Sequence, residues 1–244
     1  MVLQKVNRFA AACVAMTTVG AVASGALAGF VPGVSITLIV SDGGGVIFSD
    51  TVNPGAIPIG PAGFHFPYAI GGGAFEAYGA VNVNPKPNEF LNGYLNTVTH
   101  VKNNSGQLLN FQVIITGDLD VASAPALDWT MGSTWSVEGP NPLVWTAGGL
   151  PLARGYLNGG QIGSLYDAPS GMGGGTGPLN LNTSPISGNL PNGATSAGLR
   201  FAFDLSGNNN VATTNTEIFF TVIPAPAGLA IFGMFGMMGS RRRR

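Results

Sequence analysis

The sequence predicts an all-β protein, an antiparallel β-sandwich in which a jelly-roll strand order is one of the allowed arrangements. Three observations lead to this prediction. The 38 glycines and 17 prolines recur too often for an apolar helix of roughly 10–12 residues to form between the two ends of the chain. Short β-branched and aromatic runs alternate with turn residues instead. Several runs carry apolar side chains on one face and polar ones on the other, as in sheets that contact water on one side.

Three pairs of apolar runs are separated by turn sequences and are therefore predicted to form hairpins. The hairpins are 35–40 with 46–48, 94–101 with 108–115, and 199–205 with 216–222, and a single strand is predicted at 75–83. Two sheets built from such strands and packed face to face would form a sandwich with one core.

The N-terminal 28 residues have the organisation of a secretory signal peptide. Lys5 and Arg8 form a short basic region, and the residues that follow are almost all apolar or small. Ala26 and Ala28 then supply an A-x-A cleavage site before Gly29. This order predicts a signal-peptide helix over 1–28 that is removed on export.

Cys13 is the single cysteine of the chain and lies inside the predicted signal peptide. A lipid anchor on Cys13 is the alternative, but only four residues separate it from Arg8, which leaves no apolar stretch ahead of the cysteine. The exported protein would contain no cysteine. This excludes a disulfide framework, a thiolate zinc site and a cysteine nucleophile.

The last 21 residues form a second distinct segment. In order, they contain Pro224, Ala225 and Pro226, an uncharged apolar run over 227–239, and Arg241, Arg242, Arg243 and Arg244. A helix over the apolar run would be about 20 Å long, shorter than the roughly 30 Å hydrocarbon core of a membrane. The arginines would stay on the cytoplasmic side. The segment therefore predicts a short hydrophobic helix that inserts transiently, with a permanent tail anchor as the alternative.

This arrangement resembles the C-terminal sorting segment of PEP-CTERM proteins, which are exported bacterial proteins processed by exosortase. The family pattern is Pro-Glu-Pro, a short apolar helix and a terminal basic cluster, and here Ala225 stands in place of the glutamate. The resemblance implies exosortase and the secretion machinery as partners, with transient membrane insertion. It also implies a location on the envelope, outer surface or extracellular matrix of a Gram-negative-type bacterium.

Between the two end segments, residues 29–223 are predicted to form one domain. Six of the ten basic residues lie in the end segments, which leaves four in the body against all eleven acidic residues, a net charge of about −7. An acidic surface with few cations repels phosphate backbones and anionic lipid, so nucleic acid is not an expected partner.

The segment from about 124 to 195 is predicted to contain long loops rich in Trp, Gly and Pro, where sandwiches often carry binding residues. Its tryptophans, Trp129, Trp135 and Trp145, are candidates for stacking on sugar rings. The alternative is that they pack beneath the loops as a satellite cluster.

Metal-binding and catalytic patterns are sparse in this sequence. Asp118 and Asp120 form a D-x-D pair that could supply oxygen ligands to calcium, with a strand-end turn as the alternative. His65, in a predicted Phe-His-Phe loop, and His100, in a predicted strand, lack partners at ligand spacing, and backbone-bonded structural histidines are expected. No G-x-S-x-G motif is present, and neither a catalytic residue nor a cofactor is predicted.

Three hypotheses about function follow from these observations. The first is a structural or adhesive, non-enzymatic component of the cell surface or of an exopolysaccharide matrix. The second is a carbohydrate-binding or calcium-dependent binding module. The third is a secreted polysaccharide hydrolase, for which the sequence does not select two of the eleven carboxylates.

Overall fold

The structure, a computed structural model, describes residues 31–60, 63–85, 93–121, 126–140, 143–146, 150–166, 172–173 and 179–223. All strands in these ranges belong to a compact unit that begins at Pro32. Among the same residues, no helix has the length and apolar character needed to cross a membrane. Both predicted end segments, 1–28 and 224–244, lie outside the described ranges together with the helices predicted in them.

Sixteen strands are present in the described part of the chain. They are β1 (Val34–Asp42), β2 (Gly45–Val52), β3 (Ile57–Ile59), β4 (Gly63–Gly72), β5 (Phe75–Asn84), β6 (Gly93–Asn103), β7 (Leu109–Val121), β8 (Leu127–Glu138), β9 (Leu143–Thr146), β10 (Ala153–Leu157), β11 (Gly160–Leu165), β12 (Met172–Gly173), β13 (Leu179–Asn182), β14 (Ile186–Leu190), β15 (Ala194–Leu205) and β16 (Asn210–Val222).

The strands form two antiparallel sheets. Sheet A has the order β11-β10-β15-β7-β1-β2, with β9 pairing with both β15 and β12. Sheet B has the order β8-β16-β6-β5-β4-β3, with β13 and β14 both pairing with β8. This arrangement confirms the predicted all-β class and is that of an antiparallel β-sandwich.

The core lies between the two sheets because side chains alternate between faces along each strand. Buried and less buried residues alternate without interruption over β6, β7 and β8. Aromatic side chains occupy the centre. The Phe203 ring is stacked on Phe111 with centroids 5.8 Å apart, and Trp135 meets Phe203 edge to face at 5.2 Å.

The inner face of sheet B also carries a buried polar network, which we call the hydroxyl belt. Its members are Tyr68, Thr97, Thr99, Ser133, Thr214 and Thr216, all buried. The Tyr68 hydroxyl bonds Thr99 at 2.7 Å, and Thr99 bonds Thr97 at 2.9 Å. On the neighbouring strands, Thr216 bonds Thr214 at 2.7 Å and Ser133 at 2.6 Å. Each hydroxyl can donate and accept, so these groups satisfy one another without water.

The predicted pairing is confirmed for one of the three hairpins. Strands β1 and β2 pair antiparallel across the glycine-rich turn. The other two hairpin predictions are wrong. Strand β6 lies in sheet B and β7 in sheet A, and β15 and β16 are divided in the same way. Each of these turn sequences therefore carries the chain from one sheet to the other.

Asn103 determines the path of the first inter-sheet connection, 104–108. Its side chain is fully buried and makes four hydrogen bonds. Its Nδ2 donates to the carbonyl oxygens of Gln107 at 2.9 Å and Leu205 at 2.7 Å. Its Oδ1 accepts from the backbone N and the hydroxyl of Ser105, at 3.0 and 2.6 Å. The bond to Leu205 ties this connection to the end of β15.

The second inter-sheet connection, 206–209, packs directly on the first. The backbone N of Asn208 donates to the carbonyl oxygen of Ser105 at 2.8 Å. A side chain at Gly207 would overlap the same carbonyl and the backbone of Gln107, so only glycine permits this approach. The two inter-sheet connections therefore lie at the same end of the sandwich and are joined by hydrogen bonds.

The predicted long-loop region at 124–195 is wrong for the described residues, because it contains β8 to β14. Strand β8 alternates between buried and exposed residues over its full length, a period-two pattern that the tryptophans and the nearby prolines and glycines obscure in the sequence.

Replacing Asn103 should strongly destabilise the sandwich. Asn103→Ala leaves the Leu205 and Gln107 carbonyls without these donors, and we expect the free energy of unfolding to fall by about 2–4 kcal/mol. Asn104→Ala is the control, since Asn104 donates one exposed hydrogen bond, to Gly73, and should cost about 1 kcal/mol or less. Denaturant unfolding measures both, and equal losses would contradict the proposed role of Asn103.

The hydroxyl belt should make stability fall at alkaline pH. Burial raises the pKa of Tyr68 from 10.0 to about 12, against an opposing effect of the Thr99 and Thr97 hydroxyls. The folded phenol therefore holds its proton more tightly than the unfolded one. Its contribution is fully present below about pH 10 and is lost as the pH rises towards 12, a change of about 3 kcal/mol.

Tyr68→Phe should flatten the decline in the free energy of unfolding measured between pH 9 and pH 12. The decline should not vanish, because burial also raises the pKa of Tyr166 to about 12. A profile that is the same in wild type and Tyr68→Phe would refute this assignment.

Candidate functional site

The outer face of sheet B carries the side chains that alternate with the core residues. On β6, Leu95, Thr97 and Thr99 point into the sandwich and are buried, so Asn96 and His100 lie on the opposite face. The antiparallel register then brings together polar and aromatic side chains from strands that are far apart in the sequence.

A row of polar side chains crosses this face from strand to strand. His65, Asn82, Asn96 and Glu217 are successive register partners on β4, β5, β6 and β16. The Nδ1 of His65 lies 2.8 Å from Oδ1 of Asn82, and the Nδ2 of Asn82 donates to Oδ1 of Asn96 at 3.4 Å. Asn96 in turn donates from Nδ2 to Oδ1 of Asn215 at 3.1 Å. We call these five residues the amide row.

Two aromatic pairs lie on either side of the amide row. Tyr94 and Phe219 are register partners whose rings meet edge to face, with centroids 6.2 Å apart. Tyr78 and His100 are register partners whose rings are stacked, with centroids 4.9 Å apart. Phe219 is 37% exposed and Tyr78 is 38% exposed, so each pair presents an aromatic surface to solvent.

A groove of about 380 Å³ lies between the amide row and the first aromatic pair. Its lining residues are Ile59, Asn82, Tyr94, Asn96, Glu217 and Phe219. The amides offer both donors and acceptors, the Glu217 carboxylate offers acceptors, and the rings offer apolar faces. This combination suits a neutral ligand with many hydroxyl groups and apolar C–H faces.

The tryptophans predicted as stacking residues do not form such a surface. Trp135 is 2% exposed and Trp129 is 8% exposed, and both belong to the main core. The indole N–H of Trp135 donates to the Ser133 hydroxyl at 3.0 Å. These two rings pack inside the sandwich rather than beneath a loop, so neither face is open to a sugar. Trp145 lies in β9, and its side chain is outside what the structure describes.

Both histidines lie on the outer face of sheet B but in different rows. His65 is part of β4 rather than of a loop. Each histidine has a side-chain partner rather than the expected backbone partner, Asn82 for His65 and Thr213 at 2.9 Å for His100. They therefore support the site through side-chain hydrogen bonds.

The predicted calcium candidates lie on the outer face of sheet A. Asp118 and Asp120 flank the buried Leu119 within β7, so they belong to a strand and not to the strand-end turn considered as the alternative. Oδ2 of Asp118 accepts the backbone N–H of Gly33 at 3.0 Å. Among the described residues, no group of three or more His, Cys, Asp or Glu side chains could hold a metal ion.

The predicted sorting and cleavage residues lie outside the described ranges. These are Ala26, Ala28 and Gly29 at one end and Pro224, Ala225, Pro226, Arg241, Arg242, Arg243 and Arg244 at the other.

Comparisons with known proteins give no family for this chain. No protein-family model matches, and no curated protein matches. Among solved structures, a structure of the infectious bursal disease virus Gx strain shares 14% identity, with a TM-score of 0.22. The alignment covers 84% of this chain and spans 58% of the viral chain.

Proposed function

We propose that this protein is an exported component of a bacterial surface or extracellular matrix that binds a neutral polysaccharide through the outer face of sheet B. The observation that carries this proposal is the solvent-exposed combination of the amide row and the two aromatic pairs. It joins the structural and matrix role predicted first to the carbohydrate-binding role predicted as its alternative.

The spacing of the aromatic pairs favours a polymer over a single sugar. Tyr94 and His100 are six positions apart on β6, which corresponds to roughly 20 Å along the strand. A ligand that contacted both pairs would have to extend across the amide row between them. Aromatic rings would stack on the C–H faces of the sugars, while the amides and Glu217 would bond their hydroxyl groups.

Binding is favoured over hydrolysis because of the carboxylates on this face. Glu217 is the single carboxylate among the described residues that line the groove, whereas glycoside hydrolysis generally uses two. The aromatic and amide residues alone are sufficient for recognition.

The two end segments support the export and sorting part of this proposal. The A-x-A site before Gly29 and the Pro-Ala-Pro segment followed by an apolar run and Arg241–Arg244 would direct secretion and exosortase processing. Removal of the tail would release the domain into the matrix or join it to another surface molecule.

Glycan binding should depend on the exposed aromatic residues. With the full chain on an array of neutral oligosaccharides of increasing length, Phe219→Ala should weaken binding about tenfold, the equivalent of about 1.4 kcal/mol. Ile47→Ala is the matched control, because Ile47 is an exposed apolar residue on sheet A. Absence of binding to every neutral glycan, or equal effects of the two substitutions, would refute this site.

Sorting should be visible in the ends of the protein recovered from its native host. We expect intact mass and terminal peptide mapping to give a form that starts near Gly29 and ends near Pro226. A form that retains Arg241–Arg244 would refute tail processing and leave the tail-anchor alternative. This outcome is independent of the glycan measurement.

A further inference from the structure

The three hydrogen bonds of the amide row all run in the same direction. Nδ2 of Asn82 donates to Oδ1 of Asn96, and Nδ2 of Asn96 donates to Oδ1 of Asn215. At the other end, Nδ1 of His65 lies 2.8 Å from Oδ1 of Asn82. An amide oxygen can only accept a hydrogen bond, so Nδ1 of His65 carries the proton. The row therefore begins at a donor on His65 and ends at an acceptor on Asn215.

The two end residues decide this direction. Rotating every amide group by half a turn exchanges its oxygen and nitrogen, so the same row could also run in reverse. Asn82 would then donate to an unprotonated Nδ1 of His65, and Asn215 would donate to Asn96. Asn215 is exposed, so water can bond its amide group in either orientation. His65 is half-buried and bonds Asn82 directly, which makes His65 the residue that sets the direction.

The direction of the row decides which groups Asn82 and Asn96 present to the groove that they line with Glu217. Each amide nitrogen carries two N–H groups, and among the described residues it uses one of them within the row. One N–H of each amide is therefore left for a ligand.

The Glu217 carboxylate makes the direction matter for recognition. Glu217 is the register partner of Asn96, and a carboxylate only accepts hydrogen bonds. With the observed direction, amide donors lie next to this acceptor. Reversing the row would exchange the amide oxygens and nitrogens of Asn82 and Asn96, so that oxygens would take the places of the donors beside a group that also only accepts. The observed direction therefore gives the groove both kinds of hydrogen-bonding group at separate positions.

We propose that His65 is the positioning residue of the glycan site on sheet B, because its Nδ1–H holds the amide row in the direction that supplies N–H donors to the groove. This role rests on the proposed function, since it belongs to the same site. His65 is not among the groove-lining residues and acts through Asn82. The ring oxygens of a neutral polysaccharide have no proton to donate, so the amide N–H groups bind them, while sugar hydroxyl groups donate to Glu217.

The tautomer of His65 tests the direction of the row without any ligand. In a long-range proton–nitrogen NMR spectrum of the full chain, we expect the neutral ring of His65 to be protonated at Nδ1 and unprotonated at Nε2. His65→Gln identifies its signals, since His100 is the other histidine of the chain. A neutral ring protonated at Nε2 would mean that Nδ1 accepts from Asn82, and the role of His65 would be overturned.

Two variants at position 65 separate the direction of the row from side-chain packing. Glutamine can donate to Asn82 as Nδ1–H does, whereas glutamate has nearly the same shape but only accepts. The probes are cello-, malto- and mannohexaose, titrated against the full chain. We expect His65→Gln to bind within about threefold of the wild type and His65→Glu to bind about tenfold more weakly, because an acceptor at position 65 reverses the row.

Asn215→Asp is the matched control for charge. It adds the same negative charge at the other end of the row, where an acceptor keeps the direction, so binding should stay within about threefold of the wild type. Equal losses in His65→Glu and Asn215→Asp, or in His65→Glu and His65→Gln, would overturn the role of His65. Glycan binding by a wild type protonated at Nε2 would refute that role alone. Absence of binding with Nδ1 protonated would refute the proposed function and leave only the direction of the row. The NMR result holds even if a variant unfolds.

Discussion

The buried Asn103 side chain is the constraint on which the two-sheet arrangement depends. It bonds the carbonyl oxygen of Leu205, at the end of β15, as well as its own connection. Its register partner Asn210 is also fully buried and donates to the second connection, at the Ser206 hydroxyl. Buried amides of this kind are directional, since each bond requires a particular backbone position. They therefore fix the positions at which the chain leaves one sheet and enters the other. Those positions determine which face of each sheet points to solvent.

The same residues explain how far the fold could be predicted from the sequence. Alternation of apolar and polar residues was enough to place strands such as β6, β7, β15 and β16 and to predict an antiparallel sandwich. It was not enough to pair them. A hairpin and an inter-sheet crossing can use the same Asn, Ser and Gly residues, because both reverse the chain direction within a few residues. The difference lies in the bonds from Asn103 to Leu205 and from Asn208 to Ser105, which join segments about 100 positions apart.

The candidate site was missed for a related physical reason. Asn82, Asn96 and Glu217 are unremarkable in the sequence, since each occupies an ordinary polar position of an alternating strand. Only the register of four strands places them in one row. The tryptophans were predicted to bind sugars because large aromatic rings can stack on them. In the structure, Trp129 and Trp135 face the core instead. Their alternation with Asp128, Thr130 and Thr134 in β8 is the signal that would have placed them in the core.

Recognition has to use the outer faces of the two sheets, because side-chain packing fills the interior of the sandwich. Large rings and the hydroxyl belt fill the space between the sheets, which leaves recognition to side chains that point outwards. On sheet B these are neutral amides and exposed rings, whereas on sheet A Arg154 and Arg200, the two arginines of an otherwise acidic body, are adjacent. The net charge of the body acts over distances that salt screens within about 10 Å at 0.1 M. Hydrogen bonds and ring contacts act at shorter range, so the neutral surface of sheet B depends much less on salt than the net charge of the body does.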